Sequence, residues 1–130
     1  MADVNEKIDE ILNTEDDTAQ FDEADVSSNK ALGVLAYIGI LVLIPIFAGK
    51  DSKFARFHAN QGLVLFVCEL IVSVVISGIL GNIPGIGFVF DIVGALLSIF
   101  GFVLMIIGIV NAAGGKAKKL PVIGGISLLK

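Results

Sequence analysis

Hydrophobic and polar positions along this chain are sorted into blocks rather than interleaved. Three blocks are nearly free of charge: Ala31 to Gly49 has none, Ala59 to Leu80 has only Glu69, and Ile86 to Ala113 has only Asp91. A bilayer core of roughly 30 Å takes about 20 apolar residues of helix. Each block is long enough to cross, or nearly so, and three transmembrane helices are the economical count. The short turn "GNIPG" would join the second and third into a helical hairpin. The expected architecture is therefore an all-α membrane protein. Its spans fall at about 31–49, 59–80 and 86–113, with a polar tail over 1–30 and a basic segment over 114–130. Composition agrees, since 55% of the 130 residues are hydrophobic and too little remains to clothe a soluble fold.

Charge divides the chain further. Residues 1–30 hold ten acids against Lys7 and Lys30, whereas the remaining hundred hold seven bases against three acids. Val4, Ile8, Ile11 and Leu12 share one helical face, which predicts a short amphipathic helix. Asn13 to Ser28 is acidic and small-polar with Phe21 as its one aromatic, which predicts disorder, as a linker or a docking peptide. The bases outside this tail lie in the first loop (Lys50, Lys53, Arg56) and at the C-terminal end (Lys116, Lys118, Lys119, Lys130). With three spans these regions share a side. The positive-inside rule makes that side cytoplasmic and sends the N-terminus and the "GNIPG" turn outside. Lys30, on the predicted outer flank of the first span, runs against this assignment. No basic start followed by an apolar core opens the chain, so no secretory signal is read and the first span would direct insertion.

The spans carry three further signals. Pro45 lacks the amide that would bond the Leu41 carbonyl, so it kinks or unwinds the end of the first span. In the third, Gly87, Asp91, Gly94, Ser98, Gly101, Met105, Gly108, Ala112 and Gly115 form one stripe at steps of four and three. Small residues so spaced let another helix approach closely. In the second, Gly62, Glu69, Ser73, Ser77 and Gly81 gather on one side. Antiparallel packing about a turn centred on Ile83 and Pro84 pairs Glu69 with Ser98 and Ser77 with Asp91, with hydrogen bonds at both levels. A carboxylate at mid-bilayer costs roughly 2.5–3.5 kcal/mol or more. Glu69 is therefore either satisfied by the serine-lined face or coupled to proton or cation movement, and Asp91 lies closer to interfacial water.

The stretch "GKDSKFARFHANQGL" between the first two blocks holds the only histidine. Phe54 and Phe57 lie three apart, with Lys53, Arg56 and Asn60 on other faces, the pattern of a surface helix lying in the headgroups. His58 and Gln61 stand at the mouth of the second span, where they could bond a loop carbonyl or the C-terminal segment. An anchoring corner is the simpler reading, and a polar cytoplasmic binding site is its rival.

The run "AYIGILVLIPIFAGKDSKFARFHANQGLVLF", two further apolar spans and the ending "GKAKKLPVIGGI" resemble the small prokaryotic membrane proteins grouped as a Tic-twenty-like family, over about residues 31–126. Its pattern of an aspartate or serine followed by "RFHANQG" is met by Asp51, Ser52, Arg56, Phe57, His58, Ala59, Asn60, Gln61 and Gly62. The family's closing basic stretch and Leu-Pro pair are met by Lys119, Leu120 and Pro121. The resemblance implies a compact polytopic protein with a shared cytoplasmic corner and a largely unassigned function. The import role of the family's chloroplast namesake, which has four spans, does not carry over.

One cysteine, Cys68, excludes an intrachain disulfide, and one histidine with one cysteine leaves no plausible zinc ligand set. No nucleophile arrangement, phosphate loop or cofactor motif is present, and Glu69, Asp91 and His58 fall at three depths, too far apart for shared acid–base work. Seven bases in two short segments serve topology and anionic lipid as well as nucleic acid, so no nucleic-acid partner is expected. What remains is a multi-pass protein of the cell membrane with the bilayer as its first partner. Its expected role is that of a non-enzymatic structural or interaction component of a homo-oligomer or larger membrane complex. The alternative is a small oligomeric proton-coupled transporter or channel using Glu69, its substrate unnamed.

Overall fold

The computed structural model describes Val4, Glu6 and residues 16–129. Between residues 16 and 129 it contains four α-helices: α1, Glu23–Leu35; α2, Leu43–Ala48; α3, Lys53–Ile71; and α4, Gly87–Ala113. No strand occurs among the described residues; a single bridge joins Asp16 to Lys118. The α3 rod continues through a wider π-wound stretch, Val72–Ile79, and a 3-10 turn, Leu80–Asn82. Among the described residues, Lys53–Asn82 and Gly87–Ala113 are the two helices long and apolar enough to cross a membrane. Together they form an antiparallel hairpin.

The first apolar block is not a third continuous helix. α1 ends at Leu35, the chain turns through Tyr37 and Gly39, and α2 returns the other way. Gly39 takes φ +52°, a left-handed conformation that glycine adopts without a Cβ penalty. Pro45 sits in the first turn of α2, where its missing amide has no helical partner to lose. The return is complete enough that a Cβ at Gly49 would stand 3.5 Å from the Leu32 side chain and 2.7 Å from that of Ala55. Residues 31–49 are thus a hairpin that enters and leaves at one end of the molecule.

The acidic segment from Asp16 to Ser28 is folded rather than disordered. Asp22 caps α1 by accepting from the Ala24 amide, and the Asp17 amide donates to the Ala117 carbonyl at 2.9 Å. Phe21 packs edge-on against Phe54 and Phe57. Composition alone predicted disorder because these acids looked like solvated charge, whereas several serve as caps. The predicted amphipathic helix through Ile8, Ile11 and Leu12 lies outside the described residues.

Asp25 ties α1 to α3. One carboxylate oxygen accepts from the Phe54 amide at 3.0 Å and the other from Asn29, while Ser52 caps the same helix by accepting from the Ala55 amide. Burial by itself would raise the Asp25 carboxyl; hydrogen bonds from Ser52, the Phe54 amide and Asn29 outweigh it and hold it below the ordinary carboxylate value. A lowered folded-state value means that the stabilisation is complete above the unfolded value and is lost as pH falls through the folded one. Asp25→Ala is expected to cost about 1–2 kcal/mol at neutral pH, the usual range for a lost cap. Denaturation in mild detergent should show that difference constant from pH 7 to 5 and fading below about pH 4. A difference unchanged at low pH would show that the cap is not carried by the charged carboxylate.

These contacts place Asp16 to Asp25, the first loop and Lys116 to Lys118 at one end of the molecule. The predicted placement of the acidic tail opposite the first loop and the C-terminal bases therefore does not hold for its described part, residues 16–30. Lys30, the residue that ran against it, lies beside Gly115 at that same end.

The glycines of α4 form its inner line. Gly87, Gly94, Gly101 and Gly108 are buried, while Asp91 and Ser98 from the same predicted stripe are exposed. Gly94 faces Ser77 and Gly101 faces Glu69, a shift of three residues on α4 from the predicted pairs. Asp91 lies against Gly81 instead. Neither predicted hydrogen bond, Glu69 to Ser98 or Ser77 to Asp91, forms among the described residues. The turn is centred on Gly85, at φ +88°, and α4 begins only at Gly87, which displaces the register. Beyond Gly101 the line changes partner: Gly108 meets the Tyr37 ring and Ala112 meets Gly33. α4 therefore packs on the α3 rod along its outer half and on α1 and the tip of the first hairpin along its inner half.

Candidate functional site

The polar corner is built on the first turns of α3. These are not a separate helix lying in the headgroups, for Phe54 is fully buried and Lys53–Ile71 is one unbroken helix. His58 is also fully buried. Its Nε2 lies 2.9 Å from the Lys116 carbonyl and its Nδ1 lies 2.6 Å from the Tyr37 hydroxyl. A carbonyl only accepts, so Nε2 carries the proton. Nδ1 is then the acceptor for the tyrosine hydroxyl in the neutral ring. Phe54, Phe57 and Tyr37 surround the imidazole edge-on, with ring centroids 4.7, 5.2 and 5.5 Å away.

The next polar residues of the motif hold the segment after α4. Gln61 donates to the Gly124 carbonyl and accepts from the Leu120 amide, at 3.0 and 2.9 Å. Asn60 donates to the Ile126 carbonyl and accepts from the Leu128 and Leu129 amides. The C-terminal segment thus runs from the level of His58 past Gln61, turns at Val122 and Ile123, and comes back to Asn60. Leu120 is buried in the core with Tyr37, Leu65 and Leu104. Val122, at the turn, takes φ +68°, an outlier for a β-branched residue.

Gly62 completes the motif. A Cβ there would land on the Ala36 carbonyl, so the last turn of α1 lies directly on the α3 backbone. His58, Asn60, Gln61 and Gly62 therefore join three segments. The remaining predicted residues do not belong to this cluster. Glu69 lines a separate apolar cavity of about 180 Å³ with Cys68, Ser98, Gly101 and Ile123. Asp91 lies near the far turn, and Ser73 is exposed on the outer half of the hairpin. Arg56 lines a cleft of about 330 Å³ at the polar end, together with Asn60, Gln61 and Lys119. Sequence reasoning missed Tyr37 as the partner of His58, and Asp25. The signal for Tyr37 was present: it carries the one hydroxyl in an otherwise apolar block.

Comparison with known proteins corrects the family. The profile of the family described as "Magnetosome magnetite crystal formation protein family" matches residues 28–128. The magnetosome protein MamF of Magnetospirillum gryphiswaldense is 31% identical over 97 residues, covering 72% of this chain and 78% of the relative. A UPF0132 membrane protein of Methanocaldococcus jannaschii is 32% identical over 97 residues, covering 73% of this chain and 64% of that protein. The magnetosome protein MmsF of Paramagnetospirillum magneticum is 27% identical over 99 residues, covering 74% and 82%. No solved structure matches. The motif from Asp51 to Gly62 and the Lys-Leu-Pro ending, which suggested a Tic-twenty-like protein, lie inside the region matched by this other profile. This chain is a membrane protein that belongs to the MamF/MmsF family.

Proposed function

We propose that the chain is a non-enzymatic structural component of its membrane, inserted as a helical hairpin and fixed at one end by a folded polar cap. It acts by associating with copies of itself or with other proteins of that membrane. One observation carries this reading: the polar groups best suited to chemistry are occupied in holding the fold. Both His58 nitrogens, and the side-chain amides of Asn60 and Gln61, bond the main chain or Tyr37. A general base must instead reach the reacting group. The names of the magnetosome relatives and the family description support a place in a membrane where mineral forms. Relatives named only as membrane proteins match over a similar length, so the common role is assigned to the scaffold itself. With the described bases near one end, the positive-inside rule makes that end cytoplasmic, the described acidic segment included, and leaves the "GNIPG" turn outside.

A second reading, an oligomeric proton-coupled transporter or channel, is favoured by Glu69 alone. Its carboxyl lines an apolar cavity and has no hydrogen-bond partner among the described residues. Proton and ion flux into liposomes holding the purified chain separates the two readings. The scaffold reading expects no flux above empty vesicles from the native chain or from Glu69→Gln. A flux in the native chain that Glu69→Gln abolishes would replace it with the transporter reading.

A further inference from the structure

The cleft of about 330 Å³ at the polar end is walled on one side by the first turns of α3 and on the other by the returning C-terminal segment. Arg56 and Asn60 stand one turn apart on α3, Lys119 comes from the chain after α4, and Asp17 closes the rim. Gly125 and Ser127 form the opposite wall. Two basic side chains and one carboxylate thus line it.

Its depth is set by helix length. Lys53–Asn82 is 30 residues, or about 45 Å of rise, against a hydrocarbon core of roughly 30 Å. The excess of about ten residues places the first turns of α3, with Arg56 and Asn60, at headgroup level. Immediately beside the cleft the C-terminal segment exposes Val122, Ile126 and Leu128, at 79%, 47% and 50%. Apolar side chains so exposed at the base of the headgroup layer face acyl chains.

We propose that this cleft is a phosphate site and that its occupant is the headgroup of an anionic membrane lipid, the phosphodiester between Arg56 and Lys119 and the acyl chains along Val122, Ile126 and Leu128. Both cations already engage other groups in the structure. A guanidinium has five N–H donors and an ammonium three, so each can bind phosphate while keeping another contact. Basic pockets beside transmembrane helices at the cytoplasmic face hold anionic headgroups through this chemistry. A free phosphate offers the same oxygens without the chains, and the two sources are separable.

The test is native mass spectrometry of the full chain in detergent, titrated with phosphatidylglycerol or phosphatidylcholine, each with and without millimolar inorganic phosphate. The native chain is expected to retain phosphatidylglycerol at least five-fold more than phosphatidylcholine. Arg56→Gln with Lys119→Gln should abolish that preference, while Lys50→Gln with Lys53→Gln, which removes equal charge outside the cleft, should keep it. A Cβ at Gly125 would meet nothing within 4 Å. Gly125→Phe therefore fills the cleft without removing charge and should lose the lipid even where the double charge variant fails to fold. Competition by inorganic phosphate at equal concentration would overturn the lipid as occupant and assign the site to free phosphate. Equal phosphatidylglycerol retention by the native chain and Gly125→Phe would overturn the site altogether.

Discussion

Gly62→Ala is expected to destabilise the protein by about 3 kcal/mol or more, at the upper end of what one added methyl does in a packed interior. The added Cβ would occupy the place of the Ala36 carbonyl oxygen and carbon. Those are backbone atoms, so no rotamer change can relieve the overlap. The last turn of α1 must withdraw as a unit, and it carries Tyr37 away from both His58 and Gly108. The loss should appear as a lower denaturation midpoint in mild detergent, with retained helix content in the α3–α4 hairpin, because the outer half of that hairpin does not touch α1. Gly125→Ala is the control, since its Cβ meets nothing within 4 Å, and it should leave the midpoint unchanged. Equal stability of Gly62→Ala and the native chain would mean that α1 does not rest on α3 as described.

The two long helices were legible because a length rule is enough for them: the predicted 86–113 and the observed Gly87–Ala113 differ by one residue. The same rule failed on 31–49. An apolar run of about 20 residues fits equally a crossing helix and two short arms folded on each other, and length alone does not separate them. Two residues did. Gly39 permits the left-handed turn and Pro45 suits the start of a new helix, but by itself Pro45 reads as a kink or an unwinding at the end of one span. That single misreading carried the arrangement with it, since an odd number of crossings puts residues 16–30 at the end opposite the first loop. Lys30 registered the conflict.

The acidic segment shows a different limit. Composition treats Asp22 and Asp25 as solvated charge, yet each accepts a main-chain amide at a helix start. Which acid becomes a cap depends on a partner 29 residues away for Asp25, and local sequence does not contain it. The corner around His58 was half legible. Its motif marked a junction, and the C-terminal segment was one of the named partners, but the pairing with Tyr37 needed the hairpin to be folded first. Glu69 was readable as an acid in an apolar span, although the partner across from it is Gly101 and not Ser98.

His58→Ala is expected to cost about 3–5 kcal/mol, because it removes a filled volume and two hydrogen bonds together. The imidazole sits among Phe54, Phe57 and Tyr37, so truncation leaves a cavity lined by ring edges. The Tyr37 hydroxyl and the Lys116 carbonyl would each lose a partner in a dry interior, at about 1–3 kcal/mol for each group left unsatisfied. Tyr37→Phe removes only the hydroxyl and leaves Nδ1 unpaired, so it should cost less, about 1–2 kcal/mol. The two substitutions share one hydrogen bond, and the double variant should therefore lose less than the sum of the singles, by about 1 kcal/mol or more. Denaturation of the four proteins in one detergent completes the cycle. Strict additivity would sever Tyr37 from His58. A His58→Ala protein as stable as the native one would mean that the imidazole is not a structural bridge, and would return the corner to the binding-site reading that its internal bonds now argue against.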